Sequence, residues 1–372
     1  MSSSSEILGM ASRRGSIKRG LRDFALFARR RPSVMFGLVI VGVSLFLALF
    51  GPAVAPFDPE HALPGAGLQP PSFQHWMGTD VSGMDIFSRT ISAPRIDLVI
   101  ALVSSLIAFA VGVALGVISG YFASNRGVAR FISEGIMRSA DILQAFPVFI
   151  FALALVGFRG PGTGNVIAAL AFLNIPYFLR VTRGAVFQVR EQPFIEAARC
   201  AGNSELRIAF VHVMPNSAGP ALANISPGIG FAILLTSALS FVGAGVPKPT
   251  PEWGSMISIG APNMITGQWW TALFPGIFLG LTVLATAAIG GYAVLYRSSA
   301  GDPLGGPMMG VISLAGMGAA WCVALACSVI GALCGLVGVL KPSWRTAGAW
   351  AAVALNAAVV VVSVALLLAL SP

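Results

Sequence analysis

Charge is what this chain has least of. Of its 372 residues only 10% are Asp, Glu, Lys or Arg, while 56% are hydrophobic; a soluble protein carries about 25% charged residues. So few charges cannot cover a water-facing surface, which argues against a soluble protein with a large core. Mean hydropathy is +0.83, and the chain reads as an all-α, polytopic transmembrane helix bundle. Histidine and cysteine are also scarce, at three and four residues. Cys200, Cys322, Cys327 and Cys334 have no C-x-x-C spacing, and three lie in one apolar run where Cys behaves as a small hydrophobe. No metal site or redox role is expected. Signatures of chemistry are missing as well. There is no G-x-x-x-x-G-K-[ST] loop to cradle ATP, no H-E-x-x-H and no G-x-S-x-G. No catalytic residue and no cofactor is expected, so energy has to come from another subunit or from an ion gradient.

The charge that is present is placed unevenly. Net charge is +9, and eight Lys/Arg fall within the first 31 residues. A basic segment abutting an apolar run holds an N-terminus in the cytoplasm beside anionic lipid and carries no nucleic-acid implication. No small-x-small site follows that run, so the first helix is expected to be retained rather than cleaved. Residues 1–31 thus read as a basic cytoplasmic tail. Runs of roughly 20 apolar residues give candidate spans at about 34–55, 98–121, 136–157, 163–180, 216–243, 270–296, 308–340 and 346–370. The fourth is short and interrupted by Asn174 and Pro176. With the N-terminus inside, 17 of the 23 Lys/Arg fall on the cytoplasmic side, as the positive-inside rule requires. That topology puts a loop at 56–95 outside and a polar loop at 182–216 in the cytoplasm, within a transmembrane domain at 32–300. After about residue 300 Ala, Gly and Val dominate, and 301–372 is expected to be an appended two-helix transmembrane hairpin.

Several polar residues invite functional readings. In the 56–95 loop, His75, Asp80 and Asp85 are types that ligate metals or move protons; the plainer reading has Thr79 and Asp80 capping or turning the backbone ahead of an interfacial helix, with Trp76 at headgroup level. Glu134, Arg138 and Asp141, spaced i, i+4, i+7, are expected to form a structural ion network on one helix face. Asp97 is expected to pair with Arg95. Gly112, Gly116 and Gly120 make a small-xxx-small face for close helix packing. Pro147, Pro227 and Pro275 are expected to kink their spans.

The most informative stretch is REQPFIEAARCAG at 190–202, continuing to Pro215 and Asn216. It reads as a surface helix between two spans, with Ile195, Ala198, Ala201 and Leu206 lining one side. Gly202 permits a sharp turn, and Pro215 closes the segment. The order Glu196-Ala197-Ala198, three residues, Gly202, then Pro215 resembles the cytoplasmic signature of ABC importer permeases. HWMGTDVSGMDIFSR at 75–89, MRSADILQAFP at 137–147, SFVGAGV at 240–246 and PTPEWG at 249–254 are similar to motifs of the oligopeptide/dipeptide/nickel branch. Departures are Met84, where the branch usually has Arg, His212, and the absence of Asp in 290–297. The resemblance implies a six-span permease core and an ATPase-coupling role for Glu196, Ala197, Ala198, Gly202 and Pro215. It also implies partners: a second homologous permease, two ABC ATPase subunits, and a periplasmic or lipid-anchored solute-binding protein, all at the cytoplasmic (inner) membrane. A peptide-like solute is the implied cargo, with nickel or another small solute as the alternative; no residue is assigned to substrate binding. A self-powered secondary transporter and a membrane hydrolase compete less well, lacking internal repeats and a nucleophile–base pair respectively.

Overall fold

Pro94 starts a long helix of this chain, because its missing N–H costs nothing in a first turn. In a computed structural model, which describes residues 32–124 and 127–299, α1 (Pro32–Val54) precedes the short α2 (Ile86–Ser92) and α3 (Pro94–Tyr121), which begins on that proline. A 3-10 turn at Phe122–Ser124 ends α3. There follow α4 (Val128–Ala145), α5 (Val148–Arg159), α6 (Thr163–Val189), α7 (Pro193–Cys200) and α8 (Glu205–Arg207). A π-helical stretch, Ile208–Val213, leads into α9 (Met214–Ser217), α10 (Gly219–Ala223), α11 (Ile225–Phe241), α12 (Trp253–Ile265) and α13 (Trp270–Ser299). Among the described residues the only β pairing is an isolated bridge between Thr79 and Asp85. The fold is an all-helical polytopic bundle. The basic tail, the 301–372 hairpin, Cys322, Cys327 and Cys334 lie outside the described residues.

Among the described residues four stretches are long and apolar enough to cross a bilayer: Met35–Val54, Ile86–Tyr121, Thr163–Val189 and Trp270–Ala293. A fifth is available if α4 and α5, bent by 92° to each other, count as one span, and α11 is apolar but shorter. Three sequence expectations need correction here. The third span is no kinked rod over 136–157. Its first helix starts at Val128, and Phe146, forced to extended backbone (φ −89°, ψ 142°) ahead of Pro147, breaks it completely. The fourth is not interrupted: α6 runs unbroken through Asn174 and Pro176 to Val189, with the Asn174 amide donating to the Leu170 carbonyl at 3.0 Å. The polar segment therefore starts at Arg190 rather than 182. The fifth does not start at 216, since α9 and α10 precede α11. Neither Pro227, in the first turn of α11, nor Pro275 breaks its helix.

Close packing of α3 on α6 is the spine of the bundle. A Cβ at Gly112 would stand 2.6 Å from the Cβ of Phe178, one at Gly116 2.7 Å from the Leu179 carbonyl, and one at Gly120 2.8 Å from Val186 Cγ1. Only glycine lets the two backbones approach this far, as the four-residue spacing predicts. Around this rail Ala108, Val113, Val117, Phe178 and Val186 fill one core cluster at the Tyr121 end. A second cluster, with Ile100, Leu170, Ile233 and Leu239, fills the other half.

The segment between α1 and α2 is tied down by its polar side chains. Asp80 Oδ1 accepts from the Ser82 and Met84 N–H groups at 2.8 and 2.9 Å. Thr79 accepts from the Gln69 N–H at 2.8 Å and donates to the Ala66 carbonyl. Arg89, 2% exposed, donates from one nitrogen to the carbonyls of Pro59 (2.8 Å) and Pro249 (3.0 Å). One buried guanidinium thus joins the α1–α2 loop to the α11–α12 loop. Met84 sets its sulfur against the same nitrogen.

Candidate functional site

Residues 190–217 form a helical hairpin at the Tyr121 end of α3, and its sequence explains its shape. Pro193 occupies the first turn of α7 behind Gln192. The helix ends because Gly202 takes φ +78°, a left-handed conformation that other residues resist. The Gly202 N–H then donates to the Arg199 carbonyl at 2.9 Å and the Asn203 N–H to the Ala198 carbonyl at 3.3 Å. These are the two bonds of a Schellman ending. Ser204 caps α8 by accepting from the Arg207 N–H at 3.4 Å.

The hairpin has a buried root and an exposed crown. Ile195, 1% exposed, packs in the cluster with Val189, Ile208, Ala209 and Val213. Glu196, Ala197, Gly202 and Pro215 are exposed and Ala198 is half-buried. The expected apolar side is corrected: Ala201 is exposed and Leu206 is 63% exposed, because the left-handed turn carries 206 away from the face that Ile195 occupies. Ile208 supplies the second buried anchor instead. Pro215 does not close the segment either. It sits in the first turn of α9, and the Asn216 amide donates to the His212 carbonyl at 2.7 Å across it.

Polar contacts lock this root to α3 and α6. The Tyr121 hydroxyl donates to Glu205 Oε2 and accepts from Arg199 Nη2 at 3.1 Å, while Arg199 Nε pairs with Glu205 Oε1 at 3.3 Å. The bond to Tyr121 holds the Arg199 guanidinium above its ordinary pKa. Arg190 donates to the Gly120 carbonyl at 3.2 Å and stacks over the Phe187 ring at 4.8 Å. Sequence reasoning missed Tyr121 altogether and placed Arg199 and Glu205 without partners. The available signal was an aromatic hydroxyl at the end of a span, immediately after the Gly112–Gly116–Gly120 series.

Elsewhere the polar residues fall into other pairs than expected. Glu134 binds Arg130 at 2.7 Å and Asp141 binds Arg180 of α6 at 2.6 Å, so Arg138 bridges neither. Arg95 is exposed while Asp97 is 0% exposed and accepts from the Trp253 N–H at 3.2 Å; the expected Asp97–Arg95 pair does not form. His75 Nδ1 lies 2.9 Å from Asp85 Oδ1, both buried, and Asp85 Oδ2 caps α2 through the Ser88 N–H at 2.8 Å. Structural work accounts for the three, with Asp85 rather than Asp80 as the helix cap; Trp76 is 61% exposed. Among the described residues no group of three or more His, Cys, Asp or Glu is arranged to hold a metal ion.

The chain that carries this hairpin is similar to known proteins. Residues 112–295 match the family described as the binding-protein-dependent transport system inner membrane component. Residues 21–71 match the N-terminal transmembrane domain of oligopeptide transport permease C. The dipeptide transport system permease protein of Alkalihalophilus pseudofirmus is 37% identical over 262 residues, covering 70% of this chain and 84% of that protein. This chain belongs to the oligopeptide/dipeptide branch of ABC importer permeases. The di/tripeptide permease protein of Pseudomonas aeruginosa is 36% identical over 276 residues (73% of this chain, 89% of that one). The glutathione transport system permease protein of Pectobacterium atrosepticum is 35% identical over 277 residues (74% and 89%). The permease is a multi-pass inner-membrane subunit of a binding-protein-dependent importer and is not itself catalytic. Such a permease implies ATPase subunits and a binding protein as partners.

Proposed function

We propose that this permease moves di- or oligopeptides, and that residues 190–217 are the part an ATPase subunit grips. The relatives supply the cargo: their names specify dipeptides, di/tripeptides and glutathione, all peptide-like. The hairpin supplies the mechanism. Its crown, Glu196, Ala197 and the open space around Gly202, has nothing among the described residues packed over it, whereas its root is tied to α3 and α6. A surface held rigidly from below and left bare above suits a docking knob. Closure of the ATPases on ATP would pull this knob, and the Tyr121–Arg199–Glu205 cluster would pass the displacement into α3. The bundle then rocks to open its path toward the binding protein. The Lys/Arg asymmetry supports a cytoplasmic N-terminal tail and hairpin, with the 56–95 loop outside. Counted so, the core crosses six times, through α1, α3, the α4–α5 pair, α6, α11 and α13, beside a homologous second permease. Residues 301–372 are proposed as an addition to that core.

Site-specific crosslinking tests the coupling. A bifunctional thiol reagent applied to Ala197→Cys, in membranes holding the co-encoded ATPases, should capture an ATPase chain and respond to ATP. Capture at Gln74→Cys instead, with none at 197, would reverse the assignment.

A further inference from the structure

Helix α4 stands off its neighbours. Of its 18 residues only Ser133 and Ala140 are buried, and the Ser133 hydroxyl holds it to α3 by donating to the Ser119 carbonyl at 2.7 Å. Between α3, α4 and α6 lies a groove of about 580 Å³, walled by residues that include Val111, Leu115, Ile136, Leu143, Phe172 and Leu179. Packed interiors keep few voids larger than a water molecule, so a gap of this size calls for an occupant. The one polar side chain in its lining, Ser139, donates to the Gly135 carbonyl of its own helix at 2.9 Å. A peptide backbone would be desolvated there without compensating hydrogen bonds. A hydrocarbon chain would lose nothing.

The groove has a charged end. Along α6, Phe172, Pro176, Leu179, Arg183, Phe187 and Arg190 recur three or four residues apart and so share one face. The apolar wall therefore runs on into two arginines beside the 190–217 hairpin. Helical side chains lean toward the N-terminus, which turns Arg183 back toward Leu179. Both guanidiniums lie over the Phe187 ring, at 5.2 Å (Arg183) and 4.8 Å (Arg190) from its centroid. Arg183 forms no ion pair among the described residues, and its buried Nε has no hydrogen-bond partner. Arg190 pairs through Nε with Glu191 at 3.0 Å, a side chain 71% exposed to solvent, and gives Nη1 to the Gly120 carbonyl at 3.2 Å. The carboxylates of α4 are taken, Asp141 by Arg180 at 2.6 Å and Glu134 by Arg130 at 2.7 Å, while Arg138 is exposed. Positive charge is thus in excess at one end of an apolar slot.

We propose that this groove binds an anionic phospholipid, with one acyl chain between α3, α4 and α6 and the phosphate at Arg183 and Arg190. The two ends of such a lipid match the two ends of the groove. Its phosphate supplies the negative charge that Arg183 lacks, and a guanidinium binds phosphate oxygens through paired N–H groups. Basic pockets between membrane helices on the cytoplasmic side take acidic headgroups in the same way. An apolar helix of another subunit would fill the slot but leave Arg183 without its anion. Once bound, the lipid tethers the weakly held α4 to the α3–α6 pair. Its origin in the cytoplasmic leaflet rests on the topology proposed above; the site itself does not.

Native mass spectrometry of the purified importer complex reads the occupancy, with phosphatidylglycerol as the probe and phosphatidylcholine of the same chains as the control without net charge. The wild-type permease should retain phosphatidylglycerol in preference. Arg183→Gln removes one cation and should weaken that retention about fivefold, the worth of one basic residue at a membrane surface, while phosphatidylcholine is held as before. Gly135→Leu should exclude both lipids, because a Cβ at 135 meets nothing within 4 Å and the longer side chain grows into the slot. Leu115→Trp fills the slot from α3 and takes over if Gly135→Leu does not fold. Equal retention of the two lipids, unchanged retention in Arg183→Gln, or undiminished retention in a filled groove would each overturn the proposal. So would crosslinking of Gly135→Cys to a partner subunit, which would show that protein covers the slot. Retained lipid in a permease whose positions 74 and 197 prove to face the opposite sides would sink the topology and leave the site standing.

Discussion

The Tyr121 hydroxyl donates to the Glu205 carboxylate across 84 residues of sequence, with Arg199 bound to both. One phenol thus fastens the last turn of α3 to the far side of the hairpin that Gly202 creates. Tyr121→Phe keeps the ring and removes the bridge. Because Arg199 and Glu205 are about half exposed, the loss should be about 1 kcal/mol rather than the larger cost of a buried charged bond. The variant should insert and bind ATPase, with uptake reduced severalfold at unchanged ATP turnover. Uptake equal to wild type in proteoliposomes would show that force does not travel by this contact.

At Gly202 the backbone demands a left-handed residue, while an added side chain would meet nothing within 4 Å. Substitutions there should rank by tolerance of that backbone, with Asn mildest and Val costing about 1–2 kcal/mol. Gly202→Asp should differ from Asn by placing charge on the proposed docking crown: similar melting, weaker ATPase binding. Equal ATPase binding by the Asn and Asp variants would remove Gly202 from the interface.

Glycine-to-alanine changes should split by sign along α3 and α6. Gly116→Ala forces a methyl to within 2.7 Å of the Leu179 carbonyl, an overpacking cost of about 1–3 kcal/mol. Gly184→Ala, on the exposed face of α6 with nothing within 4 Å, should gain up to about 1 kcal/mol from helix propensity. Thermal melts of the purified protein decide it; destabilisation by both would mean that the rail is not the source.

Sidedness follows from single cysteines after the native four are replaced, beginning with the exposed Cys200. An impermeant thiol reagent on intact cells should label Gln74→Cys and leave Ala197→Cys unlabelled until the cells are opened. The reverse pattern would invert the proposed topology.

The family match ends at residue 295. Deleting everything after 305 should therefore leave insertion, ATPase binding and uptake intact. A truncated chain that assembles yet transports nothing would make 301–372 part of the machinery.

What the sequence disclosed was local. The glycine rail was legible because a four-residue spacing puts Gly112, Gly116 and Gly120 on one face whatever lies opposite. Gly202 was legible because one residue type answers one backbone requirement. Pro147 signalled a disruption but not its size, since a 92° break depends on where α4 and α5 find their partners. Pro176 signalled one that does not occur, because α3 packs along the helix on both sides of it. Arg138 looked like the partner of Asp141 because helix spacing sees only one helix, while Arg180 arrives from another 39 residues on. Arg95 and Asp97, two apart, point roughly 200° away from each other on a helix and never had a shared face.

Backbone contact between α3 and α6 has a mechanical consequence. Helices whose main chains touch through three glycines cannot slide past each other without losing that fit, so the pair turns as a single beam. The beam is fixed at one end by Tyr121 to the 190–217 hairpin and at the other by Asp97 to α12. Helix α3 alone spans 28 residues, roughly 42 Å at 1.5 Å per residue, with no loop along its length to absorb strain. A small tilt imposed at Glu205 would therefore be carried along α3 to Trp253 rather than absorbed between them.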